Sequence, residues 1–213
     1  MRLGGLQALL AELYALDLEY EVDDFLTTDT DLARALDASG REIDEKLLIA
    51  ETDGEAEVSL YVEPRVLERL ARSDPLAKLD GDNLEDFWTA FEGVSHFTYY
   101  AWNAKLEKSV TLLEMELQAE VDKYVATTLL LARQGQRPPR GLHHWLFEMP
   151  RLDERLDGDE LERYRRANRY AGKYCRKLGP AIATGAAGAA ARAELRRFYR
   201  LSQPSKIAHI EAD

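Results

Sequence analysis

The residues of this chain best suited to chemistry are carboxylates and one histidine set at helical spacing. Glu85, Glu92, His96, Tyr99 and Asn103 fall along one edge of an apolar stripe when the chain advances by about 100° per residue. Glu92 and His96 are four positions apart, so on a helix their side chains meet. A second helical run carries Glu114 inside its apolar face, among Leu113, Leu117 and Val121. A reversal centred near residue 107 sets position 96 level with about 118, and 92 with about 122. Glu114, Gln118, Glu120 and Asp122 then stand at the height of His96 and Glu92.

A carboxylate on an apolar face requires a proton, a counter-charge or a metal, because an unpaired buried charge costs on the order of several kcal/mol. Carboxylates and an imidazole between antiparallel helices are also donors for a divalent metal. The candidate metal set is therefore Glu92, His96, Glu114 and Glu120, and a divalent metal is the one cofactor these residues suggest. The competing expectation is structural: His96 pairs with Glu92 at the rim, and Glu114 takes an arginine or lysine. The motif is Glu-x-x-x-His and occurs once, unlike the duplicated Glu-x-x-His of di-metal bundles. A neighbouring stripe, Glu116, Glu120 and Lys123, reads as ordinary solvent-facing pairing along a helix. His143 and His144 read as surface histidines beside a buried Trp145; adjacent positions point about 100° apart on a helix and chelate poorly together.

Other chemistries are excluded more firmly. The single cysteine, Cys175, permits neither an intrachain disulfide nor a cysteine-rich zinc site. The segment Ala183-Thr-Gly-Ala-Ala-Gly follows no strand and is no nucleotide fingerprint, and no nucleophile elbow is present. No catalytic residue is identified, and the sequence leans away from an enzyme.

A second constellation is basic. Arg163, Arg166, Arg169, Lys173, Arg176 and Lys177, with Arg165, flank an apolar line of Leu161, Tyr164, Ala167, Ala171, Tyr174 and Leu178. Such an array suits an acidic protein partner, or phosphates with tyrosines available for stacking. The net charge of −11 conceals a division. Residues 1–125 hold 11 Lys and Arg against 29 Asp and Glu, net −18, whereas residues 126–213 hold 17 against 10, net +7. The halves either neutralise each other or present opposite faces to partners. The acidic half opposes nucleic-acid binding. Three functions follow, in order: a non-enzymatic adaptor or regulatory module that binds an unidentified protein, a metal-binding protein or metal-dependent enzyme, and a nucleic-acid binder.

The elements that position these residues divide the chain. Leu16, Leu18, Tyr20 and Val22 alternate with carboxylates, as in a half-exposed strand. Thr28 or Asp29 can cap a short helix through Leu32 and Leu36. Leu47–Ala50 and Val58, Leu60, Val62 flank Thr52-Asp53-Gly54-Glu55, a β-hairpin signature. Pro64 then opens a helix over 65–72. Period 3.6 takes over from Asp82 to about Ala104, and resumes after Ser109 or the capping box Thr111-x-x-Glu114. The loop 134–141 is rich in Pro, Gly and Arg. A short helix is expected over 142–148 and a capped one over 159–178, ended by Gly179-Pro180. An Ala/Gly-rich stretch covers 181–193, and a last helix bears Leu195, Phe198 and Tyr199.

The expected fold is α+β, a small antiparallel sheet of about three strands followed by a helical bundle of about five helices. The organisation reads as an acidic region 1–133, the loop 134–141, a basic helical region 142–201 packed on the first, and a tail 202–213. With 46% hydrophobic residues and no long uncharged apolar run, a globular cytoplasmic protein without membrane association is expected. The Ala/Arg/Leu/Glu-rich usage suggests a bacterial origin.

Overall fold

A computed structural model of the protein describes residues 2–36, 43–52, 55–150, 158–182 and 188–212. The fold is α+β, a three-stranded sheet near the N-terminus followed by a helical bundle. Helix α1 (Gly4–Tyr14) buries Leu6, Leu9, Leu10, Leu13 and Tyr14, and ends at Ala15 in the left-handed conformation. Strand β1 (Leu26–Thr27) precedes α2 (Thr30–Leu36), whose first amides bond the Asp29 carboxylate. Strands β2 (Glu45–Thr52) and β3 (Glu55–Val62) form the expected hairpin; its Asp53-Gly54 turn lies outside the described residues.

The sheet order is β1-β3-β2, and β1 runs parallel to β3. The sheet is therefore mixed, not antiparallel throughout. Its expected first strand, 16–23, is also corrected. Leu16 and Leu18 are half-buried and Val22 is buried, but Tyr20 is exposed, and the segment pairs with no strand, because the Gln7 side chain satisfies its backbone instead, donating to Tyr20 O and accepting from Val22 N. A 3₁₀ turn over Val22–Asp24 then redirects the chain into β1.

Pro64 opens α3 (Pro64–Arg72) as expected. Helices α4 (Leu84–Lys105) and α5 (Leu112–Arg133) are antiparallel, as Trp88–Thr127, Ser95–Asp122 and Tyr99–Glu114 contacts show. Thr111 Oγ1 caps α5 by accepting from Glu114 N at 3.1 Å. Both helices are buried on nearly every side, with α4 against the sheet and α1, and α5 against α7 (Gly158–Ile182). The inner face of the sheet presents Leu60 and Val62 to α4, while Tyr61 and Leu48 pack on Ala33 at the other face.

Helix α6 (Leu142–Phe147) buries Leu142, Leu146 and Phe147. Trp145 is 49% exposed, contrary to expectation, because it lies over Gly141, where an added Cβ would come within 3.2 Å of its ring. Helix α7 runs through Gly179-Pro180 rather than stopping there. Pro180 forfeits one bond in the last turn, and continuing the helix buries Leu178 and Ile182. Part of the Ala/Gly-rich stretch, 183–187, lies outside the described residues; α8 (Ala189–Tyr199) follows. The expected tail instead contains α9 (Gln203–Glu211), with Pro204 in its first turn and Lys206 and Ile210 buried one turn apart. One apolar core runs from Leu3 to Ile210. Among the described residues no helix is long and apolar enough to cross a membrane.

Candidate functional site

The α4–α5 pair carries two buried polar clusters. The first forms where β2, α4 and α5 converge, with Tyr164 of α7 alongside. His96 stands between Glu116 of α5, 3.5 Å from its Nε2, and Glu45 of β2, 4.0 Å from its Nδ1. Ligand atoms of Glu92, His96 and Glu116 all lie within 4.8 Å of one another. Lys123 Nζ donates to Glu92 Oε2 and to Glu120 Oε1, each at 2.8 Å.

Glu45 reaches this place through strand parity. It is paired with Val62 across the hairpin and shares the inner face with Leu47, opposite Leu60. Gly93 of α4 lets it approach, since a Cβ there would lie 2.7 Å from Glu45 Oε2.

Four carboxylates and one lysine leave the cluster with an excess of negative charge in a site that water barely reaches. Burial, with help from Glu92 and Glu116, raises the Glu45 carboxyl to about 8. Burial opposes a charge on His96, but Glu116, Glu45 and Glu92 outweigh it and raise the imidazole to about 9. Burial raises Glu120, whereas the Lys123 ammonium and His96 overcome burial at Glu92 and lower it. Protons on Glu45 and His96 thus relieve the excess near neutral pH. Even so, Glu45 Oε2 and His96 Nε2 are buried atoms without a hydrogen-bond partner. A divalent cation among Glu92, His96 and Glu116 would supply the same relief.

The second cluster lies on the opposite side of the hairpin. Asp122 accepts from Tyr14 OH, from Ser95 Oγ at 2.6 Å and from Gln118 Nε2 at 2.7 Å. Tyr99 OH donates to Glu114 Oε1 at 2.6 Å. Lys206 of α9 is fully buried, donates to Gln118 Oε1 at 2.6 Å, and sits 4.4 Å from the Tyr99 ring centroid and 5.1 Å from that of Phe198. Burial lowers the Lys206 ammonium to about 7 against the pull of Glu114 and Asp122, and burial raises Asp122 to about 6.

Of the four residues expected to bind metal, Glu92 and His96 stand together, Glu120 joins them through Lys123, and Glu114 is in the second cluster, bonded to Tyr99. Glu116, Glu120 and Lys123 are not a solvated stripe: Glu116 and Lys123 are buried because α4 and α7 pack over that face. Sequence reasoning missed Glu45 and the role of Glu116. The signals were present, since Glu45 keeps the parity of Leu47 and Glu116 opposes His96 by the same offset that sets Glu120 against Glu92.

The basic helix α7 spends many of its cations within the chain. Lys173 pairs with Glu211 at 2.9 Å, Arg176 with Glu148 at 3.0 Å, and Lys177 donates to the Ile210 and Ala212 carbonyls. Arg163 lies 3.8 Å from Glu160, Arg169 stacks on Tyr170, and Arg166 is half-buried. His143 bonds the Gly172 carbonyl at 2.8 Å, and His144 bonds Glu148 at 2.9 Å. Cys175 is buried, and burial holds its thiol well above the ordinary range, so it is a packing residue. Comparison with protein-family models, with curated proteins and with solved structures gives no match.

Proposed function

We propose that this protein binds a divalent metal ion through Glu92, His96 and Glu116, with Glu45 as a fourth donor from the sheet. The observation that carries this reading is the convergence of three ligand atoms within 4.8 Å in a buried site where His96 Nε2 and Glu45 Oε2 lack hydrogen-bond partners. Carboxylate and imidazole donors without a thiolate suit Mn, Fe(II) or Zn rather than Cu(I). The ligands come from a strand and two helices, so the ion holds the sheet to the hairpin.

The test is metal analysis of untagged protein, followed by titration of chelator-treated protein with Mn, Fe(II) and Zn. About one ion per chain is expected, and Glu116→Gln, whose fold is checked by circular dichroism, should lower affinity at least tenfold. Protein that carries no metal and takes up none of the three would overturn the proposal.

A further inference from the structure

The carboxylate cluster is built as two rungs of a ladder between α4 and α5. His96 faces Glu116 in one rung, and Glu92 faces Glu120 in the other. Within each helix the two members are four residues apart, one turn or about 5 Å along the axis. The first rung holds the donors with unpartnered atoms. The second holds an ammonium: Lys123 Nζ sits 2.8 Å from both Glu92 and Glu120 and is 8% exposed. Glu92 belongs to both rungs, since one oxygen accepts from Lys123 while the residue also converges with His96 and Glu116.

A carboxylate shared between two adjacent cation positions is the arrangement that bridges metal pairs about 3.5–4 Å apart. We infer that Lys123 stands in the place of a second metal ion and restricts the site to one, an inference that rests on the metal-binding reading above. The charges favour it. Four carboxylates with Lys123 and one dication retain a single negative charge, whereas without Lys123 two dications neutralise them. Shortening Lys123 also empties the volume of its ammonium and most of its stem, between two carboxylates already separated to hold a cation.

The experiment compares Mn(II) and Zn(II) binding by wild type and Lys123→Ala, counting ions by equilibrium dialysis with elemental analysis. Lys123→Ser, which vacates similar space and keeps a donor, carries the test if the alanine variant does not fold. One ion in wild type and two in the variant are expected, with an exchange-coupled Mn pair in the electron paramagnetic resonance spectrum of the variant alone. One ion in both proteins, without exchange coupling, would overturn the role of Lys123 and leave the metal site standing. No ion in either would overturn the underlying reading as well.

Discussion

A methyl group on Gly93 would stand 2.7 Å from Glu45 Oε2 and 2.8 Å from Leu60 Cδ1, closer than carbon contacts allow. Helix propensity favours alanine over glycine here by about 1 kcal/mol. Overpacking a filled interior costs about 1–3 kcal/mol and outweighs it. Gly93→Ala should therefore lower stability by about 1 kcal/mol net and weaken metal binding, because the easiest relief is for Glu45 to swing away from His96. Urea midpoints and metal titrations check this. A variant more stable than wild type with unchanged affinity would show that Glu45 is no ligand. Legibility at this scale depended on partner distance. The Thr111 cap could be read because its partner is three residues away. Glu45 could not, because its destination is set by a helix about fifty residues further along.

Among the elements, α9 was hidden by its own composition. A nine-residue segment with lysine at a core position looks like a tail, yet Lys206 supplies the ammonium that Gln118, Tyr99 and Phe198 enclose. The segment 16–23 erred the other way, because alternation is silent on whether a partner strand exists, and without one Tyr20 stays exposed. The docking of α9 carries a pH signature. Lys206 has a folded value of about 7 against an ordinary 10.5, so the unfolded chain binds more protons between those values. Its contribution is complete above about pH 10.5 and is lost as the pH falls through 7. Lys206→Met keeps the length and the ring contacts but not the charge. Denaturant midpoints across pH 6.5 to 10 should show wild type gaining on the variant as the pH rises. A difference independent of pH would mean that Lys206 is not depressed in the folded protein.

At the level of the whole molecule, the charge division of the sequence turns out to be only partly a contact between halves. Arg133 pairs with Glu12 at 2.6 Å, while Arg196 and Arg200 bond the carbonyls that end α1, where a cation meets the helix dipole. Other basic residues pair within their own half, as Lys173 does with Glu211. What unites the halves is the apolar core around α4 and α5 together with the clusters embedded in it. A metal bound only by the folded chain adds to stability by mass action, about 2.7 kcal/mol at a hundred times its dissociation constant. For a chain of this size that corresponds to a rise of roughly 5–10 °C in Tm. Thermal unfolding followed by circular dichroism, with Mn or Zn against a chelator, should show it, and superimposable melts would count against a folded-state site.

The Asp122–Gln118 cluster also imposes an order on folding during synthesis. Tyr14 of α1 stacks on Tyr199 of α8, and Gln118 of α5 waits for Lys206 of α9. A ribosome that has released α4 and α5 has produced a hairpin in which Asp122 can already meet Tyr14, Ser95 and Gln118, while Gln118 Oε1 still lacks Lys206. The nascent hairpin must keep that one oxygen wet until residue 206 emerges, so the contact between α5 and α9 is among the last to close.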